Sequence, residues 1–133
     1  MESKLILETT FLIDLEREKH RGAGSAVRFL EDHKKFQLYL THTVCGEIAA
    51  GLLMSDRARW SAFVRPFRVL PWTTEIDWHY GTVYRYLQKN GQLIGTNDLW
   101  IAATALAHDL PLVTANTAHF QRVPGLRFLE YRS

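Results

Sequence analysis

Leu93-Ile94-Gly95-Thr96-Asn97-Asp98-Leu99-Trp100-Ile101-Ala102-Ala103-Thr104-Ala105-Leu106-Ala107 reads as a loop, a helix start and an alanine-rich apolar helix. Asn97 is a favoured N-cap residue. Asp98 suits the first turn, where a carboxylate meets the positive end of the helix dipole. Two roles fit Asp98: it stabilises a helix N-terminus, or it stands at the mouth of a cleft and helps to hold a metal. Whether other carboxylates arrive at the same place decides between them.

Around this stretch, short apolar strands alternate with helical patterns. Lys4–Leu7 reads as a buried strand ending at Glu8. Phe11–Glu18 has helical spacing, capped by Thr9 or Thr10, with Asp14, Glu16 and Glu18 as a solvated face. Ser25 caps a second helix running to about His33. Phe36–Leu40 alternates at period two, as strands do. Val44–Met54 is helical. Its Glu47 is a partly exposed acid at the edge of the apolar stripe, or a carboxylate that is paired or metal-bound. Asp56–Phe67 is a further helix with Trp60, Phe63, Val64 and Phe67 on one face. Arg68–Trp72 is a strand that Pro71 restricts to an edge or an end. A helix from Thr73–Thr74 to about Asn90 stops at Gly91. After the alanine-rich helix, His108–Asp109 is a turn and Pro111–Thr114 a strand with Asn116 at its exit. Thr117–Val123 is a short helix or loop, and Gly125–Tyr131 a last strand. This alternation predicts an α/β sandwich with a largely parallel sheet.

The length of 133 residues suits one domain, 1–133. A net charge of +2 permits contact with nucleic acid without arguing for it. No apolar run reaches the length of a membrane span, and Met1–Leu7 lacks a signal-peptide pattern. Cys45, the one cysteine, cannot form an internal disulfide. It falls in an apolar helical pattern and reads as a buried structural thiol in a reducing cytoplasm.

In open parallel sheets, sites form outside the carboxyl ends of the strands. Glu8 and Asn116 directly follow strands, Glu47 lies early in a helix after a strand, and Asp98 opens a helix. If these elements point the same way, the four side chains share one end of the sheet. Clustered carboxylates repel, and a hard divalent cation such as Mg²⁺ or Mn²⁺ makes such a cluster tolerable.

Four segments, in order, resemble the PIN-domain ribonucleases, specifically the VapC-type toxins of toxin–antitoxin pairs. Leu5–Leu15 is similar to the family's opening strand and first acid. Thr43–Gly51 resembles the helix with the second acid, at Glu47. Ile94–Leu106 places the third at Asp98, and Leu112–Leu126 the fourth polar position at Asn116. The resemblance implies a three-layer α/β/α PIN-like sandwich, usually a homodimer. It further implies Mg²⁺- or Mn²⁺-dependent endonucleolytic cleavage of RNA, and inhibition by a cognate antitoxin. It assigns Glu8, Glu47, Asp98 and Asn116 to the catalytic site, with Glu8, Glu47 and Asp98 as metal ligands.

Two departures stand out. The first family acid is usually Asp and here is Glu8, whose extra methylene moves the carboxylate by about 1.5 Å. Glu8 then binds through a shifted metal or a water, or activity is weakened. Asn116 stands where an acid is often found, His119 where a nearby Asp is common, and Thr96 lacks an acid that some relatives carry. These departures motivate an alternative: a degenerate PIN domain that binds RNA or an antitoxin without cutting. A small-molecule module is disfavoured because no glycine-rich phosphate loop follows a strand. Thr9 and Thr10 cap the first helix or offer a hydroxyl to the site. Arg17, Lys19, Arg21, Arg122 and Arg127 line an RNA path or serve solubility. The six histidines lack metal-ligand spacing and receive no ligand role; His119 alone lies near the site.

Overall fold

A computed structural model describes residues 3–51 and 56–132. In chain order its elements are β1 (Lys4–Leu7), α1 (Thr9–Arg21), α2 (Ser25–Asp32), β2 (Gln37–Leu40), α3 (His42–Ala50) and α4 (Arg57–Val64). There follow β3 (Arg68–Val69), α5 (Thr74–Lys89), α6 (Thr96–His108), β4 (Leu112–Thr114), α7 (Thr117–Phe120) and β5 (Phe128–Glu130). The strands form one sheet in the order β3-β2-β1-β4-β5. Every strand pairing is parallel, and helices flank the sheet. The expected α/β architecture is present, and β3 lies at an edge but spans only Arg68–Val69, ending before Pro71, where a strand over Arg68–Trp72 was expected.

The central strand is the most apolar. Leu5, Ile6 and Leu7 are at most 2% exposed, as a strand covered on both faces requires. Burying a side chain of this size contributes about 1.5–3 kcal/mol. Ile6 sits opposite Tyr39 of β2 on one side and Leu112 of β4 on the other. The alanine-rich helix α6 buries Leu99 and the run Ile101–Ala105, and α5 packs along it. Small side chains let this helix approach its neighbours closely.

The strand order places the site. From β1 the chain builds outward to β2 and β3, then returns to lay β4 and β5 on the other side. The order therefore reverses between β1 and β4, and a crevice forms where connections leave adjacent carboxyl ends in opposite directions. Glu8 follows β1 and Asn116 lies two residues beyond β4. Parallel pairing brings α3, which follows β2, and the N-terminus of α6, which leads into β4, to that same end.

Several local expectations are corrected. The cap of α1 is Glu8, whose side chain accepts from the Thr10 backbone N–H, so neither Thr9 nor Thr10 caps it. Ser25 is the first residue of α2, after an N-cap at Gly24. Likewise α6 is capped at Gly95 and not at Asn97, whose amide is engaged elsewhere. The acidic face of α1 is not simply solvated. Glu16 is 7% exposed, Glu18 accepts from the backbone N–H groups of Gly24, Ala26 and Val27, and Asp14 accepts from Tyr131 and Arg132. Helix α3 ends at Ala50; the expected continuation over 52–54 lies outside the described residues. Cys45 is buried, as expected, and burial pushes its thiol pKa up. Trp60 donates its indole N–H to the Cys45 carbonyl and packs with Phe63 and Phe67 at the core, so these rings are largely structural.

Candidate active site

Glu8 is only 3% exposed. Three donors converge on its Oε1: the Thr10 hydroxyl at 2.6 Å, the Thr114 hydroxyl at 2.6 Å and the Thr10 backbone N–H at 3.3 Å. The hydroxyl directions are set from behind. Thr10 Oγ1 accepts from the Ala115 N–H at 2.9 Å, and Thr114 Oγ1 from the Asn116 N–H at 2.8 Å. Each hydroxyl therefore directs its own proton at the carboxylate. Burial nevertheless pushes the Glu8 carboxyl above its ordinary pKa of 4.5. The hydroxyls and the amide oppose the rise, and the charge of Asp98 adds to it.

Glu47 is held between the neighbours of the other two acids. The Thr9 hydroxyl, next to Glu8, donates to its Oε1 at 2.6 Å. The Asn97 amide, next to Asp98, donates to its Oε2 at 3.3 Å. Glu47 is half-buried and hydrogen-bonded on both carboxylate oxygens. Its bond from Thr9 gives that residue a role at the site.

Asp98 lies in the first turn of α6. Its Oδ2 is 2.9 Å from His119 Nδ1 and 3.4 Å from Asn116 Nδ2, and these two nitrogens are themselves 2.9 Å apart. The structure thus gathers Glu8, Glu47, Asp98 and Asn116 at one end of the sheet through short linking contacts. Thr10, Thr114, Asn97 and His119 join them. Of these, Thr114 carried no sequence signal, because its partner Glu8 is 106 residues away. Among the described residues, no group of three or more His, Cys, Asp and Glu side chains closes into a ready metal cluster.

The donor set still suits a hard divalent cation. It is rich in oxygen and lacks a thiolate. Among the described residues the hydrogen-bond partners of Glu8 and Glu47 are hydroxyls and amides, so no bonded cationic side chain neutralises either charge. Burial above all, with the Asp98 charge as the smallest contribution, disfavours ionised Glu8, a situation that a cation relieves. Of the basic residues considered for a path toward this site, Arg122 donates to the Gln92 and Leu93 carbonyls and Arg127 pairs with Asp109. Lys19 pairs with Glu16, while Arg17 and Arg21 are exposed.

Comparisons with known proteins identify relatives of this chain. The PIN domain family matches residues 5–126. Ribonuclease VapC1 of Rickettsia felis is 31% identical over 137 residues, covering 97% of each chain. The solved structure of VapBC-1 from nontypeable Haemophilus influenzae contains a chain that superposes with a TM-score of 0.80 at 28% identity, covering 96% of this chain and 98% of that one. A chain of VapBC2 from Rickettsia felis, solved bound to a promoter DNA fragment, also gives 0.80, at 22% identity, and supports the fold. With its sheet order, its acids at the strand ends and these relatives, the chain belongs to the PIN-domain family and is closely related to the VapC-type toxins.

Proposed function

We propose that this chain is a metal-dependent endoribonuclease toxin that hydrolyses RNA phosphodiester bonds and is neutralised by a cognate antitoxin. Glu8, Glu47 and Asp98 hold Mg²⁺ or Mn²⁺, and Asn116 positions a water or the metal. The carrying observation is Glu47, bonded on one oxygen by Thr9 beside Glu8 and on the other by Asn97 beside Asp98. A chain with unrelated acids has no reason to tie the neighbours of two of them to the third. The Rickettsia felis relative bears the name ribonuclease, and the similar Haemophilus chain belongs to a VapBC assembly, which supports the toxin and antitoxin parts of the reading. A single PIN-like domain working as a homodimer in the cytoplasm completes it. Among the described residues, no helix is long and apolar enough to cross a membrane.

A bound cation supplies charge neutralisation and an activated water for attack on phosphorus. The chain's own residues keep the carboxylates ready for it. Thr10 and Thr114 hold one oxygen of Glu8, Thr9 and Asn97 fix both oxygens of Glu47, and His119 and Asn116 hold Oδ2 of Asp98. No side chain is covalently modified in this scheme. Purified Glu8→Gln, Glu47→Gln and Asp98→Asn variants are each expected to lose metal-dependent RNA cleavage.

The burial of Glu8 favours a second reading, a PIN domain that binds RNA or its antitoxin without cutting. Calorimetric titration with Mn²⁺ separates the two. Binding by the native chain supports the nuclease. No binding by the native chain, with binding by Glu8→Asp, supports the non-cleaving form.

A further inference from the structure

We propose that two copies of this chain pair through the outward face of α5, antiparallel about a two-fold axis beside Gly81; this rests on the homodimer part of the reading above. Ile76, Val83 and Leu87 are the buried side of α5, which packs along α6. With 3.6 residues per turn, Trp78, Gly81, Arg85 and Lys89 fall on the opposite side. Trp78 is 66% exposed, and the Arg85 guanidinium lies 5.8 Å from its ring centroid. Trp72, Tyr84 and Tyr86 are exposed too and widen the aromatic surface. A contiguous apolar surface of this kind marks an interaction site.

Gly81 and Thr82 are the two central residues of α5. Glycine is a poor helix former, and the chain's own packing does not call for it here. A Cβ at Gly81 would meet nothing closer than Arg85 Nη1 at 3.5 Å, an ordinary contact. Bare backbone at the middle of an exposed aromatic face lets a second helix approach closely.

The occupant is a second copy because the face complements itself. A two-fold axis between Gly81 and Thr82 sets Trp78 against the partner's Arg85, so each ring gains a second guanidinium. The same rotation brings Glu75, in the first turn, beside the partner's Lys89, in the last. Both are exposed, and among the described residues neither forms an ion pair within the chain. Antiparallel pairing also opposes the two helix dipoles favourably. Stacked RNA bases fit this face less well, because Glu75 and Asp77 repel phosphate at one end of it.

The test is sedimentation of the full chain over a range of concentrations, with circular dichroism to confirm folding. Gly81→Leu improves helix propensity yet is expected to raise the dimer dissociation constant by about tenfold or more, the effect of blocking the centre of an interface. Glu75→Lys and Lys89→Glu are each expected to weaken the dimer, and the doubly reversed chain to regain it. Within one helix these residues stand about 21 Å apart, so that rescue arises only between copies. A native dimer untouched by Gly81→Leu and Trp78→Ala overturns this face and leaves the homodimer standing. A native chain that stays monomeric overturns both. Unchanged sedimentation of Trp78→Ala with weaker binding of a single-stranded RNA probe overturns the proposal in favour of an RNA platform.

Discussion

Glu8 and Thr114 meet across 106 residues of chain, the threonine hydroxyl donating to the buried carboxylate at 2.6 Å. The contact joins the ends of the two strands between which the sheet order reverses. Thr114→Val keeps the shape of the side chain and removes the donor. The Asn116 N–H loses its acceptor at the same time. The expected cost is about 1–3 kcal/mol, the range for leaving a buried polar group unsatisfied. Urea denaturation of the two proteins checks it. Retained stability would mean that the hydroxyl does not support Glu8.

The pH dependence of stability follows from the raised Glu8 pKa. In metal-free protein the folded state holds the Glu8 proton more tightly than the unfolded chain. The contribution of Glu8 is therefore most favourable below the ordinary pKa of 4.5 and declines as pH rises through the folded value. Glu8→Gln keeps an oxygen for the three donors and carries no charge. It is expected to be more stable than the native chain at neutral pH, with the difference shrinking toward acid. Equal pH profiles in thermal unfolding with chelator present would show that Glu8 is not under this electrostatic load.

Glu18 caps a helix to which it does not belong. Its carboxylate accepts from Gly24 N–H at 2.8 Å, Val27 N–H at 2.9 Å and Ala26 N–H at 3.0 Å, serving the start of α2. Glu18→Ala is expected to cost about 0.5–2 kcal/mol, the range measured for lost helix caps. Hydrogen exchange should show the loss first at the amides of α2.

Tyr131 ties the end of the chain to α1. Its hydroxyl lies 2.5 Å from Asp14 Oδ2 and 3.0 Å from the Thr10 carbonyl, and burial with the Asp14 contact pushes its pKa well up. Thr10 in turn holds Glu8. Tyr131→Phe preserves the edge-to-face contact with Phe11 and removes the hydroxyl. A loss of about 0.5–1.5 kcal/mol is expected for one hydrogen bond, somewhat more with a charged acceptor. Urea titration measures it, with native-like affinity for Mn²⁺ expected to persist.

The sheet was legible because its central strands are short apolar runs that end at polar residues. Lys4–Leu7 was expected with its observed bounds, whereas Pro71, expected to restrict its strand to an edge or an end, lies beyond the end of the edge strand β3. Glu8, Glu47, Asp98 and Asn116 were legible as strand-exit and helix-start positions. Their partners were not. Glu18 resembles any surface acid of α1 until α2 folds back above it, and Asn97 resembles a cap until Glu47 arrives from 50 residues away. Propensity reads neighbours along the chain, whereas these side chains are committed to partners that only the tertiary fold supplies.

The most direct test of the site is RNA cleavage by purified native protein and Asp98→Asn, side by side, with Mn²⁺ and with chelator. The amide keeps the size of the carboxylate but removes the charge needed by a cation. Cleavage by the native chain that requires Mn²⁺, and its loss to background in Asp98→Asn with the fold retained, is the predicted result. Undiminished Mn²⁺-dependent cleavage by Asp98→Asn would contradict the assignment.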